Sequence, residues 1–319
     1  MNPKIIVLFI GAWGRSGSTL LERMLGQMPR FFAVGELRHV WDRSFQDNQL
    51  CGCGKSFYSC EFWRAVGSEA FGGLERVDVD KILTLKATVD RYRYMPCHIR
   101  ASKTGKYNRR MADAVKEYAS LLERFYRAIQ AVSGAEVIVD SSKDPPYAFL
   151  LNALPFVDLR LIHLVRDSRA VAYSWSRERE RPEITDRLEL MPRFGPVMSS
   201  YGWNLYNYSL GFLRRFVPSS ALLRYEDLVQ GPDTQVRRVL EETGFDQPLA
   251  LPFVHGRKVR LGTNHTVSGN PMRFQTGMLD LRPDEEWKTK MRRTDKYVAT
   301  VLTAPLLLRY RYLSSKRIR

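Results

Sequence analysis

The chain opens with an unbroken apolar run, Ile5-Ile6-Val7-Leu8-Phe9-Ile10, whose β-branched content predicts a strand buried on both faces. Gly11 and Gly14 then open a turn, and Leu20, Leu21, Met24 and Leu25 recur at helical spacing, so a helix follows with Ser16 or Ser18 as its cap. The same strand-to-turn change recurs downstream. Residues 31–34 predict a short strand that ends at Gly35-Glu36, with a helix starting near Arg38; residues 136–140 predict another, ending in Ser141-Ser142-Lys143-Asp144 before a proline-started helix to Leu154. Residues 159–165 form a further strand, which delivers Arg166-Asp167-Ser168 into a helix capped by Asp167 or Ser168. Residues 221–228 read as the last strand of the sheet.

Helical periodicity marks residues 79–91, a long amphipathic stretch at 109–132, residues 198–216, residues 234–243 ending at Gly244, and an apolar stretch at 297–312 broken by Pro305. Strands alternating with helices predict an α/β fold with a central, mainly parallel sheet flanked by helices in three layers. No repeat or low-complexity linker divides the 319 residues, which are read as one domain. Two stretches stand outside the alternation and are read as insertions or lids over a binding site: 42–100, with a glycine-cysteine loop and the aromatics Phe57, Tyr58, Phe62 and Trp63, and the charged, proline-bearing 178–196.

The first turn is an anion site by construction. Free N–H groups at the helix start, the positive end of the helix dipole, Arg15, and the hydroxyls of Ser18 and Thr19 converge where a phosphate or sulfonate would sit. It is not a nucleoside-triphosphate loop, because the window 12–19 has Ala12 where the first glycine of G-x-x-x-x-G-K-[ST] would stand and Ser18 in place of the lysine. Without that lysine, and without a strand-borne aspartate for magnesium, a P-loop small-molecule kinase is the weaker reading. Arg166 at a strand end and Ser174 on the helix after it can face a second anion. On spacing alone Glu36 is a carboxylate capping the next helix, although the carboxyl end of a strand is also where open α/β sheets place their chemistry.

The formal charge of +16 suits an anionic ligand and exceeds what one nucleotide needs; the surplus suits an acidic acceptor or peripheral contact with an anionic membrane, and a non-catalytic polyanion-binding protein is the bland alternative. No zinc-finger spacing, RNA-recognition signature or aromatic-basic repeat points to nucleic acid. The apolar run at 5–10 is too short to span a bilayer and lacks a secretory pattern, so a cytoplasmic protein is expected. Three of the four cysteines cluster as Cys51, Cys53 and Cys60. Zinc would need a fourth ligand such as Cys97, His39 or His98, and C-x-C is not a usual finger spacing; free thiols or one local disulfide are therefore favoured over a metal.

The wording Arg15-Ser16-Gly17-Ser18-Thr19-Leu20-Leu21 resembles the 5′-phosphosulfate loop of sulfotransferases that use 3′-phosphoadenosine 5′-phosphosulfate, PAPS. Leu164-Val165-Arg166-Asp167-Ser168-Arg169-Ala170-Val171-Ala172-Tyr173-Ser174 resembles the 3′-phosphate element of the same family. Two such elements in order are far more specific than either alone. The resemblance covers most of the chain and implies a P-loop-like single sulfotransferase domain over 1–319. It implies cofactor contacts from Gly14, Arg15, Ser16, Gly17, Ser18 and Thr19, with Arg166 and Ser174 on the 3′-phosphate. Arg224-Tyr225-Glu226-Asp227-Leu228 is similar to a segment of the carbohydrate and tyrosylprotein branches whose tyrosine holds the cofactor, and residues 262–273 look like the C-terminal cofactor loop of bacterial members, with Ser268, Gly269, Asn270 and Arg273 as donors. By the same resemblance Glu36 is the base for a hydroxyl acceptor, Lys143 assists the leaving group beside Arg15, and His39 is the second candidate base. The donor carries an activated sulfate, so the reaction requires no metal. The hydroxyl acceptor that the resemblance implies is a glycan, a lipid or another small molecule.

Overall fold

A computed structural model describes residues 3–184, 187–245 and 251–313. The basic tail residues Lys316, Arg317 and Arg319 lie outside the described residues, as do 185 and 186 within the second insertion. The elements run β1 (Ile5–Gly11), α1 (Ser18–Leu25), β2 (Phe31–Gly35), α2 (Glu61–Phe71), α3 (Val79–Val89), α4 (Met95–Thr104), α5 (Arg109–Ser133), β3 (Val137–Lys143) and α6 (Pro145–Ala153). They continue with β4 (Val157–Val165), α7 (Ser168–Ser176), α8 (Pro196–Leu213), β5 (Ser220–Arg224), α9 (Tyr225–Gln230) and α10 (Pro232–Glu242). β6 (Val254–His255), β7 (Lys258–Leu261), β8 (Gly277–Asp280), α11 (Glu286–Lys290) and α12 (Arg293–Arg309) complete the order.

The sheet is parallel throughout, in the order β2-β3-β1-β4-β5, with Val7 opposite Ile138 on one side and Leu159 on the other. Side chains alternate across a strand, so Ile5, Val7 and Phe9 of β1 enter one apolar cluster and Leu8 and Ile10 another. The first cluster takes the apolar stripe of α5, from Met111 and Val115 to Phe125 and Ile129; the second takes Leu20, Leu21, Met24 and Leu25 of α1 together with Val236, Val239 and Leu240 of α10. Burial on both faces is why the strands read as continuous apolar runs. Asn108 caps α5, its side chain accepting from the Met111 N–H at 3.0 Å, and Gly134 ends the helix at φ +68°.

This order sets the position of the site. From β1 the chain leaves toward β2, whereas from β4 it leaves toward β5, so the two neighbours part in opposite directions and open a crevice beyond their carboxyl ends.

Four expectations change. The strand at 136–140 continues to Lys143, because Gly11 of β1 pairs with it after an irregularity beyond Phe9. Residues 225–228 are the start of α9, not strand; Glu226 and Asp227 in the first turn favour a helix N-terminus. After Glu36 a short 3₁₀ turn, Leu37–His39, runs into a wide π-helical segment, Val40–Gln46, where an ordinary helix was expected. The apolar stretch expected to break at Pro305 is one helix, α12, with the proline inside it, and the small antiparallel sheet β6-β7-β8 is an addition to the predicted elements.

The two insertions also differ from each other. Phe57 and Trp63 are fully buried, Phe57 against Trp63 with ring centres 5.5 Å apart and Trp63 against Phe125 of α5 at 5.8 Å, so this part of 42–100 is core, not lid. Residues 178–196 do reach the crevice. Among the described residues no helix is long and apolar enough to cross a membrane.

Candidate active site

The turn after β1 folds tightly because Arg15 and Gly17 both take left-handed backbone angles, φ +71° and +92°. Gly17 is the N-cap of α1 and no side chain caps the helix, so neither Ser16 nor Ser18 plays the expected capping part. Ser16 is buried, while Ser18 is the first helical residue. The uncapped N–H groups face a cavity of about 670 Å³ lined by Gly14, Arg15, Gly17, Ser18 and Thr19. A β-carbon at Gly17 would run into the Tyr225 ring, so glycine there satisfies both the angle and the close approach.

Glu36 follows β2 and Lys143 ends β3, and both line the same cavity. Lys143 (φ +68°) donates from Nζ to Glu36 Oε1, and the Arg43 guanidinium lies 3.7 Å from Glu36 Oε2. Burial pushes the Glu36 carboxyl upward, but Lys143, Arg43 and His39 together outweigh it and hold its pKa at about 2. Arg15 has its guanidinium over the Trp175 ring at 4.9 Å, and one of its nitrogens, Nη1, is buried with no partner. Burial and then Arg179 lower its pKa to about 10, against the pull of Glu36. This end of the cavity thus holds an excess of cations with an orphaned donor, which is the chemistry of a site for a polyanion.

Arg166, at the end of β4, reaches across the crevice: its Nη1 donates to the Arg15 carbonyl oxygen at 2.8 Å and its Nη2 to Asp284 at 2.7 Å. The guanidinium also lies over the Tyr225 ring at 4.7 Å. Ser174, one face of α7 away, lines the same cavity, and Asp167 caps that helix by accepting from the Arg169 N–H at 2.9 Å. Ser168 instead bonds Thr303 of α12 at 2.7 Å.

The segment 262–275 closes the third side, held from several directions. The Glu36 N–H donates to the Val267 carbonyl at 2.8 Å and the Val267 N–H to the Val34 carbonyl at 2.9 Å, so the loop adds to the sheet edge beside β2. Arg23 of α1 donates to the carbonyls of Gly262, Met272 and Gln275. Gly269 (φ +106°) and Asn270 line the cavity; a β-carbon at Gly269 would sit 3.4 Å from Glu36 Oε1 and 3.7 Å from the Thr19 hydroxyl. Ser268 (φ +57°) is buried with its hydroxyl unpartnered.

Four expected members stand outside the lining, and two of them, Ser16 and Ser268, are buried residues of the turns that border it. Arg273 is fully buried and donates to the carbonyls of Thr266 at 2.7 Å and Leu50 at 2.7 Å, so it pins the loop from behind instead of facing the crevice. His39 lies outside the lining, 3.4 Å from Asp42, and burial lowers its pKa. Conversely Arg43, Arg179, Arg181 and Trp175 line the cavity although the motifs did not select them. The run Arg177-Glu178-Arg179-Glu180-Arg181 was a signal for two of these, hidden by its alternating charge.

The cysteine loop also gains a partner. Cys51, Cys53, Cys60 and His265 place their four ligand atoms within 4.8 Å of one another. Of the histidines and cysteine considered from the sequence, His98 is committed to Tyr107 and the Val89 carbonyl, His39 to Asp42, and Cys97 lies in α4.

No known family profile matches this chain, and a search of curated proteins finds no relative. Among solved structures it is similar to the sulfotransferase domain from the curacin biosynthetic pathway, at 18% identity over 96% of this chain and 98% of that one, TM-score 0.48. It is similar to the sulfotransferase domain of the Synechococcus PCC 7002 olefin synthase, at 21% identity over 95% of each chain, TM-score 0.47. Mycobacterium avium sulfotransferase STF9 matches at 14% identity over 99% of this chain and 78% of that one, TM-score 0.43.

Proposed function

We propose that this chain is a PAPS-dependent sulfotransferase acting on a hydroxyl-bearing acceptor. The observation that carries the reading is that the two anion-binding turns meet at one crevice: Arg166, from the end of β4, bonds the backbone of Arg15, after β1, and both line a single cavity. A molecule with phosphates at both ends of an adenosine is matched by two such cationic turns set in one cleft. The orphaned Arg15 Nη1 and the uncapped start of α1 are donors left over for it.

In the reaction, the bond from sulfur to the 5′-phosphate oxygen breaks, that oxygen keeps the electron pair, and the acceptor oxygen bonds to sulfur. Arg15, Lys143 and the N–H groups of α1 lie where the departing charge collects. Glu36 takes the acceptor proton. A carboxylate held at about 2 is a weak base, and its pairing with Lys143 is the largest of the causes that lower it, ahead of Arg43 and His39. A donor that draws Lys143 away relieves that pairing and raises the pKa of Glu36, so the base strengthens only in the loaded site. This chemistry needs no metal, and Glu36 and Lys143 act as one switchable pair. The surplus positive charge favours an acidic acceptor, an expectation carried by composition alone.

Thermal unfolding with 3′-phosphoadenosine 5′-phosphate, set against ATP with magnesium, tests the nucleotide; a rise with the first and none with the second is expected. Transfer of label from PAPS into an extract, read by mass spectrometry, tests the reaction. Stabilisation by ATP with label moving from ATP alone would make it a kinase, and heparin binding insensitive to either nucleotide would make it a polyanion binder.

A further inference from the structure

We propose that Cys51, Cys53, Cys60 and His265 form a structural zinc site that staples the 42–100 insertion to the cavity-lining loop. The inference does not rest on the sulfotransferase reading. Its footing is geometric. Cys53 Sγ stands 3.7 Å from Cys60 Sγ, and His265 Nδ1 stands 3.8 Å from Cys51 Sγ and 3.3 Å from Cys60 Sγ. Ligands at zinc–sulfur and zinc–nitrogen bond lengths on a tetrahedron are separated by about 3.7 Å between sulfurs and about 3.5 Å between sulfur and nitrogen. Three thiolates and one imidazole fill a closed, four-coordinate site with no position left for water, which is the structural and not the catalytic form. A disulfide would pull two sulfurs to about 2.0 Å and leave the third thiol and the imidazole without a use.

The surroundings are built for ligation as well. Cys51 and Cys60 are fully buried, and the turn between Cys51 and Lys55 closes through the Cys51 N–H to the Lys55 carbonyl and the Gly54 N–H to the Cys51 carbonyl, each 2.8 Å, with Gly54 at φ +85°. His265 is fixed from two sides: its carbonyl accepts from Trp63 Nε1 at 2.9 Å and its ring stacks on Phe62 at 5.1 Å. The first contact fixes the backbone of His265 and the second the plane of its ring. His265 comes 205 residues after Cys60, so the C-x-C spacing seen alone hides the fourth ligand.

The consequence falls on the cavity. His265 lies three residues before Ser268, in the segment whose Val267 bonds Glu36 and whose Gly269 approaches it. Around this staple the Gly52 N–H donates to the Thr266 carbonyl at 2.9 Å and Arg273 bridges Thr266 to Leu50. A metal here links the insertion to the loop over Glu36 by bonds stronger than any of those hydrogen bonds.

The test is metal analysis of the full chain purified without chelator and, separately, after zinc reconstitution and removal of loose metal. About one zinc per chain is expected, with cobalt substitution giving thiolate-to-metal charge-transfer and tetrahedral ligand-field bands. Cys53→Ser, at a half-exposed position, is expected to stay folded and lose the metal, and His265→Cys to keep it as a four-thiolate site. Hydrogen exchange over residues 264–270 is expected to quicken in Cys53→Ser and to stay slow in His265→Cys. A reconstituted chain with no bound zinc, or a Cys53–Cys60 disulfide in non-reducing peptide maps, would overturn the site; zinc bound with unchanged exchange would overturn the stapling.

Discussion

The two ends of the crevice invert each other's electrostatics. At the β1–β3 end a single carboxylate, Glu36, is surrounded by cations, with Lys143 bonded to it and Arg43 3.7 Å away, and its proton is held off down to about 2. At the β4 end a cation, Arg166, is held by a carboxylate, Asp284 at 2.7 Å, and lies over an aromatic ring. On the proposed reading, an arriving anion competes with Glu36 for Lys143 and so creates a base in the first case; in the second it competes with Asp284 for Arg166 and creates nothing but an anchor. Under the proposed function the contrast assigns one end of the site to chemistry and the other to grip, with a charged partner already in place at each for the arriving anion to compete with.

The sharpest way to break that division is to remove the acid from the chemical end. Glu36→Gln keeps the shape but has neither the charge that holds Lys143 nor any basicity, and loss of a general base costs about 100- to 10,000-fold in turnover. Nucleotide binding is expected to hold or tighten, because Lys143 is released; kcat measured with PAPS and any accepted hydroxyl, beside Kd for the bisphosphate product, checks both. Comparable activity would move the base elsewhere. The reverse pattern is expected at the other end. Arg166→Ala should weaken the bisphosphate about 10- to 100-fold, the worth of a charge-assisted pair of hydrogen bonds, read by calorimetry against a smaller loss in Arg166→Lys. An unchanged Kd would break the assignment of that end to a phosphate.

A third carboxylate sharpens the comparison by being buried without a close cation. Glu22 of α1 accepts from the Ser141 hydroxyl at 2.7 Å and from the Gly35 N–H, yet burial raises its pKa to about 8. A carboxyl whose folded pKa lies above its ordinary 4.5 is protonated on folding, so stability falls as pH rises from about 4.5 to about 8 and the cost is constant beyond. Glu36 has the opposite sign: its contribution is present above 4.5 and is lost as pH falls toward 2. Relative to wild type, Glu22→Gln is therefore expected to gain melting temperature as pH rises from about 4.5 to about 8. A difference between the two proteins that stays level across that window would place the Glu22 proton wrongly.

The legibility of these parts in the sequence follows from what fixes them. The five parallel strands and the turns at Arg15, Glu36, Lys143 and Arg166 were readable because two-sided burial leaves an unbroken apolar run, and a run ending in glycine or a charge marks its own carboxyl end. The P-loop-like turn and the Arg166 helix carried their spacing with them. What was not readable depended on contacts between distant segments. Arg273 has the composition of a phosphate ligand, but nothing local tells that its guanidinium is consumed by the carbonyls of Thr266 and Leu50. His265 is an ordinary loop histidine until the fold sets it against Cys60. The strands β6 to β8 have at most four residues each, and the alternation of β7, Lys258–Leu261, is too short a run to stand out from the loops around it.

The gentlest probe of the comparison lies in the acid that restrains Arg166. Asp284 is about one-third exposed on its side chain, so its pairing with Arg166 is partly screened and is worth about 1 kcal/mol or less. A 3′-phosphate that takes Arg166 must displace it or share the guanidinium, which still donates to the Arg15 carbonyl through its other nitrogen. Asp284→Asn removes the competing charge while keeping a side chain of the same size, so the bisphosphate is expected to bind up to about fivefold more tightly. Turnover at saturating donor should be unmoved or slower, since a tighter product leaves more slowly. Weaker binding would mean that Asp284 orients Arg166 for the ligand instead of restraining it, and the grip at this end would then be assembled before the nucleotide arrives.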